Sequence, residues 1–302
     1  GIAAVITAMA GGTGNPDIAD ALSNLGDERF DYIVMPFTDA TALNACRDFM
    51  DDVTGRWAYS QQNYGHCFSA RIGTVAALDT FGSDRNDPHM TIMGYYDSPT
   101  PSWAVAAMLG GQASKSLSID PARPLQTLPM IGFMAPPTKS RFTISERNVL
   151  LYSGIATSFT EGGYTRIERS ITTYQKNSYG TDDPSFLDVQ TLATLAYILR
   201  FLNARITQKF PRHKLADNGT RFGEGQAIVT PNTVRSELIA AYGELEYKGL
   251  VENMKAFKAN LIVERDAEDV NRLNVLFPPD LVNQLRVFAV LAQFRLQYRE
   301  AA

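Results

Sequence analysis

The chain has 302 residues, 45% hydrophobic and 20% charged, which is the composition of a globular protein large enough for two domains. Its formal net charge of -4 argues against a general nucleic-acid binder, and no apolar run approaches the ~20 residues that span a bilayer. The two cysteines, Cys46 and Cys67, provide no disulfide framework and suit a reducing compartment.

The first half alternates strand and helix signals, which predicts an α/β fold with a mainly parallel sheet covered by helices. The chain lacks an initial Met and residues 1–10 predict a strand, so we expect an N-terminal part to be missing. In chain order we then expect a helix over 15–25, a strand over 32–37, a helix from the Asp39 cap to 53, a strand over 67–72, a helix over 73–82, a strand over 89–95 and a helix over 101–114.

Five prolines follow between residues 120 and 142. Because proline is excluded from regular helices and central strands, this stretch predicts an extended connection that wraps the sheet. Ser145 is the expected cap of a helix over 146–152. Strands over 155–159 and 166–174 are expected to pair around Gly162 and Gly163.

The second half opens at Asp183-Pro184, a pair typical of a helix start, and predicts a helix to Lys209. A second helix over 232–248 and strands over 261–263 and 273–277 follow. We expect two domains, residues 1–183 and residues 184–302, the second of the α+β type. The first helix carries an apolar seam at spacings of three and four, made of Leu192, Leu195, Leu199, Leu202 and Ile206.

The chain closes with an alternating stretch that predicts a strand over 287–298. A terminal strand with an apolar face needs a sheet to join. We expect it either to pair with a neighbouring subunit or to complete a sheet of its own subunit. The candidate inter-subunit residues are Val287, Phe288, Val290, Ala292, Phe294, Leu296 and Tyr298.

Charge is unevenly spread along the chain. Residues 1–60 carry nine acidic and three basic side chains, whereas residues 200–222 carry six basic side chains against Asp217 alone. The two regions could be solvated faces, or they could attract each other between identical subunits. The candidate electrostatic contacts are Arg200, Arg205, Lys209, Arg212, Lys214 and Arg221.

Motifs for chemistry are weak. The glycine-rich stretch 11–15 lacks the Lys-Ser/Thr pair of a phosphate-binding loop, and the acids Asp182, Asp183 and Asp188 are explained as cap and first-turn residues of a helix. The spacing of His66 and Cys67 fits no metal motif, so we predict no metal, cofactor or catalytic residue. The alternative is an α/β enzyme with a small ligand at the carboxyl ends of its strands, near Thr38-Asp39 or Gly73-Thr74.

Several segments together resemble one family. They are residues 166–175 (RIERSITTYQ), 185–192 (SFLDVQTL), 209–217 (KFPRHKLAD) and 276–285 (LFPPDLVNQL), and residues 6–12 and 120–128 fit the same pattern. The chain thereby resembles the tail sheath proteins of Mu-like contractile-tailed bacteriophages. A related contractile injection particle is the other source for such a chain.

The resemblance implies a structural role rather than catalysis. Subunits of this family stack as hexameric rings around a tail tube and contract to drive the tube through the host envelope during genome ejection. It also implies a C-terminal polymerisation domain in which terminal arms add strands to neighbouring subunits. The implied partners are further copies of the chain, the tail tube, the baseplate and the tail terminator, without nucleic acid or membrane insertion. The implied location is the virion, after assembly in the host cytoplasm.

Overall fold

The computed structural model describes residues 11–12 and 14–292, so the strand expected within residues 1–10 lies outside the described residues. The first half alternates helices and strands and ends in a hairpin. Its elements are α1 (Ala19–Ser23), β1 (Tyr32–Val34), α2 (Ala40–Met50), β2 (His66–Ile72), α3 (Val75–Ser83), β3 (Met90–Tyr95), α4 (Ser102–Ile119), a 3-10 turn (Thr138–Ser140), α5 (Ile144–Tyr152), β4 (Thr157–Glu161) and β5 (Tyr164–Arg169).

Strands β1, β2 and β3 pair in parallel, with β2 in the middle. Ala156 continues the sheet beyond β3, because its N–H donates to Ile92 O at 2.9 Å and its carbonyl accepts from Gly94 N at 3.0 Å. The antiparallel β4–β5 hairpin follows directly. The predicted α/β fold with a mainly parallel sheet is therefore confirmed for this half.

Alternation along the strands gives the sheet two buried faces. Phe68 of β2 faces a core formed with α4, whereas Cys67 beside it faces a core formed with α2, α3 and α5. Helix α4 comes close to the sheet because it carries Gly110, where a Cβ would lie 2.6 Å from Val34 Cγ2. The sheet is thus covered by helices on both sides.

Side-chain caps fix several helix starts. The Asp39 carboxylate accepts from Ala42 N at 3.0 Å, and Thr74 Oγ1 accepts from Ala77 N at 3.3 Å. The cap of α5 is Thr143 rather than the predicted Ser145: its Oγ1 accepts from Glu146 N, while the Glu146 carboxylate accepts from Thr143 N at 2.7 Å. This reciprocal pair satisfies two N–H groups at once, so the helix starts earlier than predicted.

The proline-rich stretch lies against the sheet without forming a long element. Thr127 N donates to Ile167 O at 2.8 Å and Met130 N donates to Thr165 O at 2.9 Å, so the stretch runs along β5. Leu125 and Phe133 are buried in the core under α4.

The second half packs around its own core. The Tyr242 ring stacks on Phe257 with centroids 3.8 Å apart, and Phe277 meets Phe257 edge-on at 4.8 Å. Its elements are α6 (Val189–Lys209), β6 (Lys214–Leu215), β7 (Ile228–Val229), α7 (Pro231–Tyr247), β8 (Val251–Glu252), α8 (Met254–Asn260), β9 (Ile262–Arg265), β10 (Leu273–Leu276) and β11 (Asp280–Leu281).

The prediction that a helix begins at Asp183-Pro184 is wrong, because α6 begins at Val189. The preceding residues are held by a distant segment: Thr172 N donates to Leu187 O at 2.8 Å, and Thr172 Oγ1 donates to Phe186 O at 2.7 Å. Carbonyls engaged in this way are not free to start a helix. The Asp183-Pro184 dipeptide instead lies in a turn, in which the Asp183 carboxylate accepts from Ser185 N.

Helix α6 belongs to both cores. Val189 packs with the sheet, whereas Ile198 and Leu202 pack with α7. The boundary predicted at 183/184 stays a prediction, and the hydrophobic cores change over further along, between Val189 and Ile198.

The predicted apolar seam on α6 is only partly present. Of its members, Leu192 and Leu202 are buried, whereas Leu195, Leu199 and Ile206 are half-buried. The reason is that α6 contacts two cores in different directions, so burial is spread around the helix instead of following one stripe.

Candidate assembly interface

The chain leaves the folded body near its C-terminus. Strand β11 pairs with β8, and Val282 N donates to Leu250 O at 3.2 Å. Over the rest of the described tail, residues 283–292 form no helix or strand and make no backbone hydrogen bond to other described residues. We call residues 287–302 the C-terminal arm.

The described part of the arm is apolar and exposed. The exposed fractions are 78% for Val287, 84% for Phe288, 66% for Val290 and 89% for Leu291, and Ala292 is also exposed. Up to residue 292, the arm therefore does not complete a sheet of its own subunit. The other predicted residues of this row, Phe294, Leu296 and Tyr298, lie outside the described residues, and the inter-subunit strand stays a prediction.

An ion triad holds the chain just before the arm. The Arg286 Nη2 donates to Asp188 Oδ1 at 2.9 Å and to Gln190 Oε1 at 3.3 Å. Asp188 also accepts from Arg169, whose Nε donates to the same Oδ1 and whose Nη2 donates to Oδ2, both at 3.2 Å. The Arg286 and Asp188 side chains are only 17% and 22% exposed, so the pair is partly removed from water. The triad joins the end of β5, the start of α6 and the base of the arm.

This arrangement was not predicted from the sequence. Asp188 was predicted to be a cap or first-turn acid, and it does occupy the N-cap position of α6, but its carboxylate binds two arginines instead. A usable signal was present, since Arg169 and Asp188 lie within two segments that carry the family resemblance and Arg286 directly follows a third. Local pattern reading could not show that these segments meet.

Half of the predicted electrostatic contacts are engaged inside the subunit. Arg200 pairs with Asp31 at 2.8 Å, and both Arg205 and Lys209 donate to Glu237, with Arg205 also reaching Glu244. The basic excess counted along residues 200–222 is thus offset by acids from elsewhere in the chain. The contact with a neighbouring subunit predicted for these three cations stays a prediction.

The remaining basic side chains are solvent-exposed. Arg212, Lys214 and Arg221 lie in and after the loop that follows α6. Lys214 Nζ donates to Gln226 at 3.2 Å, and neither Arg212 nor Arg221 has an ion pair among the described residues. They keep the predicted electrostatic contact as a proposal.

The alternative prediction, an enzyme, places a small-ligand site at the carboxyl ends of the strands. A cavity of about 830 Å³ lies there. Thr38 and Asp39 line it as expected, together with Arg71 and Trp103. Two of its polar side chains are engaged locally, because the Asp39 carboxylate caps α2 and Arg71 donates to Thr38 O at 3.1 Å. Gly73 and Thr74 are not among the lining residues.

His66 of β2 and His89, the residue before β3, bond neighbouring side chains. His66 Nε2 bonds Thr91 Oγ1 at 2.8 Å, and burial lowers the pKa of His66 to about 3, so it is neutral at ordinary pH. His89 stacks on Trp57 and bonds Asp52 at 3.0 Å. Within the described ranges, no group of three or more His, Cys, Asp or Glu side chains could hold a metal. No helix there is long and apolar enough to cross a membrane.

Comparison with known proteins gives matches along the whole described chain. The model of the phage tail sheath protein central domain matches residues 11–173, and the model of the phage tail sheath C-terminal domain matches residues 181–295. Over 297 residues, the chain is 45% identical to the Mu-like prophage FluMu tail sheath protein of Haemophilus influenzae. That match covers 98% of this chain and 60% of the relative, so the chain spans less than two thirds of its length.

Solved structures share the fold at low identity. The sheath tail protein of Listeria innocua superposes with a TM-score of 0.61 at 17% identity, covering 92% of this chain and 60% of that one. The sheath tail protein of Desulfitobacterium hafniense gives 0.56 at 15% identity, over 87% and 59%. A sheath complex of an extracellular contractile injection system in the contracted state gives 0.56 at 12% identity, over 92% and 75%. The resemblance and the two-part fold predicted from the sequence are confirmed.

Proposed function

The chain belongs to the phage tail sheath family, and from this premise we propose that it is the structural subunit of a contractile phage tail. Copies stack as hexameric rings around the tail tube and form a helical sheath. The sheath contracts and drives the tube through the host envelope during genome ejection. The subunit acts through its contacts with other subunits rather than through catalysis.

The exposed C-terminal arm is the observation that carries this proposal. Val287, Phe288, Val290 and Leu291 are each at least 66% exposed, although their side chains are large and apolar. Burying such a side chain is worth ~1.5–3 kcal/mol, so a chain that leaves four of them in water gains most by placing them on a neighbour. Strand pairing would add main-chain hydrogen bonds at each junction.

The remaining contacts follow from the same architecture. The sheath partners are the tail tube, the baseplate and the tail terminator, and Arg212, Lys214 and Arg221 supply positive charge for a neighbour or for the tube. One exposed ion pair contributes only ~0–1 kcal/mol, so these contacts matter by repetition through many rings. The subunit assembles in the host cytoplasm and is carried in the virion.

Deletion of residues 287–302 from the full-length protein tests the proposal. The truncated subunit keeps its folded body, because the described arm makes no contact that stabilises either core, but it forms no sheath. Negative-stain microscopy and light scattering measure assembly, and circular dichroism measures folding. Sheaths or tubes that form without the arm would refute the assignment of the arm as the inter-subunit element.

A further inference from the structure

At the base of the arm, the chain changes from anchored to solvent-exposed within one residue. Arg286 is held by Asp188 and Gln190, whereas the next residue, Val287, is 78% exposed. Five residues before Arg286, Leu281 of β11 is held by pairing with Val251 of β8. The chain between Leu281 and Arg286 is therefore fixed at both ends, although its backbone makes no regular structure.

The contact at Arg286 is well suited to fix a chain. Gln190 is 1% exposed and lies in the first turn of α6, and both oxygens of Asp188 also accept from Arg169. A hydrogen bond between two charged groups, such as that of Arg286 with Asp188, is stronger than a neutral one. Burial lowers the pKa of Arg286 and the neighbouring Asp188 opposes that shift, so the guanidinium is partly desolvated and depends on its carboxylate partner.

Position matters to a strand that joins another subunit. A strand slipped by one residue turns its apolar row to the opposite face, and a longer flexible tether lowers the effective concentration of the strand at its target. If Arg286 were free, the flexible tether would begin at residue 283 instead of 287. The geometry points to Arg286 as the positioning residue of the arm, which fixes through Asp188 where the arm leaves the body and in which register it reaches the next copy. This inference rests on the proposed function.

Side-chain variants of the full-length subunit give the first test. Arg286→Ala is expected to raise the protein concentration needed for assembly about tenfold, because the lost charged contact frees the tether. Arg286→Lys is expected to recover part of the loss, since its ammonium can still reach Asp188. An unchanged assembly threshold in Arg286→Ala would overturn the inference.

A pair of insertions separates positioning from a merely structural role. A Gly-Ser dipeptide after Arg286 lengthens the free tether, whereas the same dipeptide after Asn283 lies before the anchor; both keep the two-residue alternation. The insertion after Arg286 should raise the assembly threshold several-fold and the insertion after Asn283 should leave it near wild type. Equal thresholds for the two insertions would overturn the inference even if Arg286→Ala failed to fold. Assembly by the arm deletion would refute the arm as the inter-subunit element, whereas a full-length wild-type subunit that never assembles would overturn the proposed function.

Discussion

The central sheet and the C-terminal arm use apolar residues in opposite ways. In the sheet, Phe68, Ile92 and Met93 are fully buried by the subunit's own helices. In the arm, Phe288 and Leu291 are 84% and 89% exposed. The sheet therefore completes its core within one chain, whereas we propose that another chain covers the apolar side chains of the arm. Folding and assembly should accordingly respond to different substitutions.

A double substitution of the arm should have the largest effect. Phe288→Asp with Val290→Asp places two charges where apolar side chains are expected to be buried on a neighbour, at ~1.5–3 kcal/mol for each lost burial. We expect assembly to weaken by more than about 100-fold, while the free energy of unfolding changes by less than about 0.5 kcal/mol. Light scattering and urea unfolding measure the two quantities. A large loss of stability would show that the arm belongs to the body.

A substitution in the core of the sheet should have the opposite effect: it should lower folding stability and leave assembly unchanged. Phe68→Ala empties a buried site beside Tyr32 and His66 and should lower the free energy of unfolding by about 3–5 kcal/mol. Assembly of the fraction that remains folded should keep its wild-type threshold. The control is Val290→Ala, which removes an exposed side chain and should leave stability unchanged. If both variants lost the same stability, the contrast between the two regions would be lost.

Glu237→Gln tests whether the basic end of α6 serves its own subunit. Burial alone would raise the pKa of Glu237, but the bonds from Lys209 and Arg205 outweigh it and hold that pKa below the ordinary 4.5. A lowered pKa in the folded state stabilises the fold above 4.5, and the gain is lost as pH falls through the folded value. We expect the variant to be less stable by about 1–2 kcal/mol at pH 7, with the difference shrinking below pH 4.5. A constant difference across that range, measured by urea unfolding, would contradict the ion-pair origin.

The smallest effect is expected at the exposed basic loop. Arg212→Glu should weaken assembly a few-fold at low salt and hardly at all at high salt, because exposed charges are screened. Lys139→Glu, the same charge change at an exposed site of the first half, is the control. Equal salt dependence in both variants would remove Arg212 from the assembly surface.

Local signals explain which parts of the fold the sequence could predict. Strands β2 and β3 are runs of buried residues, and the caps Asp39 and Thr74 act within three residues of themselves, so both were predictable. The start of α6 was not, since Thr172 holds Leu187 across the turn and overrides the Asp183-Pro184 signal. The base of the arm combines Asp188 with Arg286, 98 residues away. The neutralisation of Lys209 depends on Glu237, 28 residues away.

Helix α6 has a mechanical consequence. Its 21 residues extend about 31 Å without interruption, with Val189 seated in one core and Leu202 in the other. A bend between the two halves would have to break hydrogen bonds of this helix or expose side chains from a close-packed core. Both changes cost free energy. In the proposed sheath, a pull on the arm that passes from Arg286 to Asp188 would reach both halves through this helix. The subunit would then keep its own shape while its contacts with neighbouring copies change.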